Sequence, residues 1–241
     1  MHLTARPLVA ALLLLSVSSL RAQTVADPSG HWEGSIQAPF GEVPVAVDLA
    51  MNDHRKLMGT FTNPGEHILG LPLANVTVDG RSVSLEIKAG AGGEAFKGAL
   101  SADGRSLSGD FLVSVYSVPF SLTRTGDARI EPAPRSPAID KALEGAWSGT
   151  LDIDGRELPV VVTITNHADG TATGDWANDG GVRIPITIAY QGSSLTLGTT
   201  VSTGSYSGTV SAQGTEIVGV FTEGALNAPL TLRRAATVGT R

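Results

Sequence analysis

Gly30-His31-Trp32-Glu33-Gly34 lies over Gly145-Ala146-Trp147-Ser148-Gly149 when the chain is shifted against itself by 115 residues. The same shift pairs Glu42 with Glu157, Pro44 with Pro159 and Gly59 with Gly174. After small deletions Pro72 falls on Pro185, Gly80 on Gly192, and Phe96-Lys97-Gly98 on Tyr206-Ser207-Gly208. Further on, Ser101-Ala102-Asp103-Gly104 matches Ser211-Ala212-Gln213-Gly214, and Gly109 and Phe111 match Gly219 and Phe221. Pro119, Leu122 and Arg124 match Pro229, Leu232 and Arg234. A series of this length means one structural unit present twice.

Each copy reads as short strands. Val43, Val45, Val47 and Leu49 alternate with Pro44, Ala46, Asp48 and Ala50, as do Leu158, Val160, Val162 and Ile164 with their neighbours, and period two marks a strand with one buried face. Similar runs at 82–87, 107–113 and 118–122 are separated by turn pairs such as Asp79-Gly80, Asp103-Gly104 and Asp154-Gly155. No helical period is sustained. About eight strands per copy predict an all-β chain of two tandem antiparallel up-and-down barrels, a closure that removes exposed sheet edges. A pair of β-sandwiches is the alternative, since strand count does not separate the two.

Around the two units, Arg6, the apolar run 7–15 and the small residues 16–22 form an expected secretory signal peptide, cleaved after Ala22. The run is too short to cross a bilayer core of about 30 Å. The expected organisation is a leader at 1–22, a first barrel at 23–125, a proline-rich linker at 126–142, a second barrel at 143–236 and a tail at 237–241. No cysteine is present, so a disulfide framework is excluded. Without the leader, 15 basic residues face 23 acidic ones with no basic cluster. That argues against nucleic acid as a partner and against docking on anionic lipid. The expected location is periplasmic or secreted.

Alternation places glycines beside bulky residues on the inner face: Gly34 with Trp32, Gly59 with Phe61, Gly98 with Phe96 and Gly109 with Phe111. The second copy repeats this with Gly174 and Trp176, Gly208 and Tyr206, and Gly219 and Phe221. Either the strands bend at the glycines to close a barrel, or the missing side chains leave room for a ligand. Arg124 and Arg234 end the last strands on that inner face, where a guanidinium stacks on Trp32 or Trp147 at the barrel end or else reaches solvent.

The Gly-x-Trp of the first strand and the Arg of the last, carried by Gly30, Trp32 and Arg124 and by Gly145, Trp147 and Arg234, resemble the calycin pattern of lipocalin and avidin-type barrels. The wider pattern adds a strand opening with Pro, Phe/Tyr-x-Gly, Gly-x-x-x-x-Gly-x-Phe and Pro-x-x-Leu-x-Arg. It is similar to the lipocalin-like β-domain that precedes α/β-hydrolase domains in secreted bacterial proteins, along nearly the whole of both copies. The resemblance implies an exported accessory domain, here with no hydrolase after Arg241, and assigns no ligand to particular residues.

Catalytic signals are weak. Gly204-Ser205-Tyr206-Ser207-Gly208 has Tyr206 where a hydrolase elbow has its nucleophile, and no histidine follows it. His31, His54, His67 and His167 stand singly, without the close pairing of a zinc site. Asp152, Asp154 and the cluster Asn178-Asp179-Gly180-Gly181 match no calcium loop, and Gly90 to Gly93 lacks the helix of a phosphate cradle. Glu42 and Glu157 lie in different copies. No catalytic constellation, metal or cofactor is expected. The chain reads as a non-enzymatic binding module holding an apolar small molecule against Trp32, Phe61, Phe96, Phe111, Trp147, Trp176, Tyr206 and Phe221. The alternative is a protein-interaction scaffold with filled barrels, accessory to a secreted hydrolase on another chain.

Overall fold

Period-two patterning with frequent Gly-containing turns dictates hairpins, and strands dominate the structure. The computed structural model describes residues 27–87, 93–178 and 182–234. The expected leader and tail lie outside them. No α-helix occurs among the described residues, and no helix there is long and apolar enough to cross a membrane.

The first repeat forms β1 (Gly30–Ala38), β2 (Gly41–Met51), β3 (Leu57–Asn63), β4 (Ile68–Pro72), β5 (Asn75–Asp79), β6 (Ser82–Glu86), β7 (Glu94–Leu100), β8 (Ser106–Val113) and β9 (Tyr116–Gly126). They make one curled antiparallel sheet in the order β4-β3-β2-β1-β9-β8-β7-β6-β5. The second repeat comprises β10 (Ser136–Pro137), β11 (Gly145–Ile153), β12 (Arg156–Asn166), β13 (Thr171–Asn178), β14 (Arg183–Gln191), β15 (Ser194–Thr199), β16 (Ser205–Val210), β17 (Glu216–Glu223) and β18 (Leu226–Arg234). Here β13 pairs with β14, so eight strands, β11 to β18, close into an antiparallel barrel, and the two-residue β10 is added at β13.

The two copies therefore differ at one place. Pro72 and Gly80 are eight positions apart, whereas their counterparts Pro185 and Gly192 are seven apart. The additional residue splits what is a single strand, β14, into β4 and β5. The main chain changes partner in one step: Leu73 N–H donates to Gly59 O on β3 at 2.9 Å, and Ala74 N–H donates to Glu86 O on β6 at 2.7 Å. An inserted residue locally disrupts the ladder and bends the strand, so the first sheet curls without the continuous closing ladder of the second.

Each repeat has its own core. In the first, Trp32, Val47, Leu49, Leu85, Phe96, Leu100, Leu107 and Leu122 are buried together; in the second, Trp147, Val162, Ile164, Leu195, Leu197, Tyr206, Ile217 and Leu232. Each large apolar side chain so buried contributes roughly 1.5–3 kcal/mol. The stretch 126–142 is more than a spacer, because its end is built into the second barrel. Ser136 of β10 is buried and pairs with Ala172 of β13, Ile139 N–H donates to Asn166 Oδ1 at 3.0 Å, and residues 141–143 form a 3-10 turn capped by Asp140. The two repeats also touch where Leu69 N–H of β4 donates to Val201 O, in the loop between β15 and β16, at 2.9 Å.

Candidate functional site

The end of each repeat is closed by the chain that leads into its first strand. Trp32 and Arg124 are cross-strand partners, as are Trp147 and Arg234. The guanidinium carbon lies 4.8 Å from the Trp32 ring centroid in one and 4.7 Å from that of Trp147 in the other. Each indole N–H donates to the carbonyl four residues upstream, Pro28 O at 2.9 Å and Leu143 O at 3.0 Å. Each arginine then reaches a second upstream carbonyl, Arg124 Nη2 to Asp27 O at 2.6 Å and Arg234 Nη1 to Glu144 O at 2.7 Å. Stacking plus charge-assisted hydrogen bonds ties the entering chain across the barrel end. Ser29 donates to the Asp27 carboxylate and holds its pKa below the usual range.

Above this end the sequence-predicted aromatics pack on one another. Phe96 has ring centroids of Phe61, Phe111 and Phe120 at 5.8, 4.7 and 4.9 Å. Trp176 has Tyr206 at 6.5 Å and Phe221 at 5.3 Å. Seven of the eight expected lining residues are buried, and Phe111 is half-buried. The structure thus brings Phe61, Phe96 and Phe111 together with a fourth ring, Phe120, and joins Trp176, Tyr206 and Phe221, while Trp32 and Trp147 belong to the closed ends. Tyr206 Oη lies 3.0 Å from Ile217 O and 3.2 Å from Leu230 O, and burial pushes its pKa up to about 12.

The glycines explain the tight interior. Gly98 faces Gly109, and Gly208 faces Gly219, across adjacent strands. A Cβ on Gly109 would sit 2.2 Å from Lys97 O, and one on Gly219 would sit 2.2 Å from Ser207 O. A Cβ on Gly98 would meet the Phe120 ring at 2.8 Å, and one on Gly208 the Tyr206 hydroxyl at 2.6 Å. These positions let backbone and rings approach at sharp bends. Two concavities, of about 440 and 530 Å³, lie outside the barrels, one between residues 137–139 and β14–β15 and the other on β5–β7. None of the eight aromatics lines either.

Two polar features escaped the sequence reading. His31 Nδ1 lies 2.8 Å from Asp48 Oδ1, and its Nε2 lies 3.2 Å from Glu33 Oε1. Asp48 Oδ1 also accepts Arg129 N–H at 2.7 Å, so the linker covers this outer-face cluster. The hydrogen bond from His31, followed by that from Thr125, lowers the Glu33 pKa. Both ring nitrogens of His31 thus face carboxylate oxygens. The second feature is Asn63, on the Phe61 face of β3, whose buried Oδ1 has no hydrogen-bond partner. Its alternation with Phe61 was the available signal; the His31–Asp48 pairing follows from the β1–β2 register.

Among the described residues, no group of three His, Asp or Glu is arranged to hold a metal ion. Ser205 to Gly208 lies in strand β16, without the strand-to-helix elbow a serine hydrolase needs. Residues 88–92 and 179–181, part of the two loops considered above, lie outside the described residues.

No protein-family model matches the chain, and no curated protein does. Among solved structures, one described as a putative outer membrane protein from Bacteroides fragilis has 15% identity and a TM-score of 0.27, over 86% of this chain and 97% of its own. A DUF3598-family protein of unknown function from Nostoc punctiforme has 14% identity and a TM-score of 0.28, over 86% of this chain and 96% of its own.

Proposed function

We propose that this is an exported, non-enzymatic protein-interaction module in which both repeats serve as filled scaffolds. The observation that carries it is the ring-on-ring packing of the interior aromatics, with strands drawn together at the paired glycines until a Cβ would collide with main chain. Rings in contact inside each sheet support a filled interior over one that holds a drug-sized ligand, whose pocket is typically about 300–1,000 Å³. The leader at residues 1–22 supports export. The resemblance to domains that precede α/β-hydrolases makes a secreted hydrolase on another chain the first partner to test. Exposed apolar side chains suit a contact role: Phe40 on the β1–β2 turn, Val115 on the β8–β9 turn and Tyr116 at the start of β9 are 86%, 88% and 70% exposed. β1 and β9 are neighbours, so both turns lie at the same end of the sheet.

One observation favours a second role. The unpartnered Oδ1 of Asn63 beside Phe61 offers an acceptor to a small apolar molecule bearing one hydroxyl or amine, seated at the end of the first repeat remote from Trp32. Native mass spectrometry of protein taken from its own compartment separates the two readings. A chain of unaccompanied mass, with Trp32→Ala destabilised by about 3–5 kcal/mol as for a core residue, is the expected result. An added mass removable by organic solvent and absent from Asn63→Leu would overturn the filled-scaffold reading for that repeat.

A further inference from the structure

In the second repeat β13 and β14 pair only from Gly174–Ala177 to Arg183–Ile186 and then diverge. The gap is occupied by β10 and the residues after it. Ser136 pairs with Ala172, Pro137 with Thr171, and Ala138 N–H donates to Gly170 O at 2.9 Å. Ser136 Oγ accepts the N–H of Ile188 from the other side at 2.8 Å. Under this cover Ala172 and Ile188 are 0% and 4% exposed.

The first repeat has the same divergence. By the repeat register, Leu57 on β3 stands for Ala172, and Val76 and Val78 on β5 stand for Ile188 and Tyr190. Their main-chain directions also correspond. The two-residue turn between Asp79 and Ser82 makes that pair hydrogen-bonded, so Asn75, Thr77 and Asp79 bond toward β6 and the peptide groups of Val76 and Val78 point away from it. On β3, Gly59 O accepts from Leu73, so Leu57, two residues earlier, also points away from β2. No strand pairs with these groups among the described residues, and Leu57 and Val76 are half-buried where their counterparts are buried. The places of Ser136 and Pro137 fall on Arg21 and Ala22, the end of the expected leader. A chain cleaved after Ala22 carries no residue for them.

We infer that the edge formed by Leu57, Val76 and Val78 is a docking slot for an extended peptide of a partner protein, which adds as a strand just as residues 136–138 do in the second repeat. The occupant follows from that internal example: a hydroxyl residue to accept the Val76 N–H, then proline or small residues, with main-chain hydrogen bonds supplying most of the affinity. Open strand edges pair readily with incoming chain. The inference rests on the interaction-module reading and supplies its partner's chemistry.

The test uses isotopically labelled chain beginning at Gln23 and a synthetic peptide of residues 134–140, Pro-Arg-Ser-Pro-Ala-Ile-Asp. Saturating peptide is expected to slow amide exchange at Val76 and Leu57 by about tenfold or more while leaving Ile188 unchanged. Val76→Pro, a substitution an edge strand tolerates, is expected to remove the response. So is a peptide carrying N-methylalanine at the position of Ala138, which leaves the protein untouched. The slot is overturned if those amides are already protected without peptide, which would make the chain's own N-terminus the occupant. It is equally overturned if they do not respond, or if only Ile188 does. Mass spectrometry probes the interior and amide exchange the edge, so the scaffold reading and the slot can fail separately.

Discussion

At Gly109 and Gly219 a hydrogen in place of a methyl group decides the path of two strands, because a Cβ there would lie 2.2 Å from a carbonyl oxygen. The bend brings Phe96 onto Phe111 in the first repeat and leaves room for Tyr206 to cross behind Gly208 in the second. Tyr206 anchors β16 to β17 and β18 through one hydroxyl. Tyr206→Phe is expected to lower the stability of the second repeat by about 1 kcal/mol near neutral pH, measured as a shift of the urea midpoint. The alkaline response carries the sign of a buried phenol. In the folded chain it ionises near pH 12, against an ordinary value of 10.0, so the unfolded chain releases its proton first. Tyr206 is therefore expected to make stability fall as pH rises from about 10 to about 12, with no effect below that window, and Tyr206→Phe to flatten this fall. An unchanged slope in the variant would mean the phenol is not buried.

Among the elements, β10 is the shortest, yet it does two tasks: it extends β13 and satisfies Ile188 on β14. Ser136→Ala leaves a buried N–H without an acceptor, and the expected cost is about 1–3 kcal/mol. Faster amide exchange at Ile188, with β16–β18 unaffected, would locate that loss. The proline content of 126–142 signalled an extended, semi-rigid spacer, but the pairing of Ser136 with Ala172 lies beyond local sequence because the two residues meet only once β13 and β14 have diverged. The split of β4 from β5 was written in the repeat, as one additional residue between Pro72 and Gly80, yet whether such an insertion makes a loop, a bulge or a break depends on the ladders on either side.

For the whole molecule, two separately cored sheets are tied by a linker that is held at both ends. At its start Arg129 N–H is fixed by Asp48, which also faces His31; at its end Arg135 bridges Asp169 at 2.8 Å. Asp48→Asn keeps the size of the side chain and removes its charge. It is expected to loosen the chain around Arg129 and to speed limited tryptic cleavage there severalfold relative to cleavage after Arg135. Equal rates in the two proteins would show that the Asp48 contact does not hold the linker.

The amino-acid sequence by itself determined the duplication, the all-β class and the face on which Trp32, Phe96 and their counterparts lie, and left open whether Arg124 and Arg234 stack on the tryptophans or reach solvent. These follow from strand alternation and from internal similarity, both of which are local or periodic properties. Only the tertiary structure decided which aromatic rings pack on one another inside each sheet, that Asn63 is buried without a partner for its oxygen, and that the second repeat closes and seats β10 while the first leaves the corresponding edge open. Those outcomes depend on volumes and peptide directions where distant strands meet, and alternation fixes which way a side chain faces without fixing what waits opposite it.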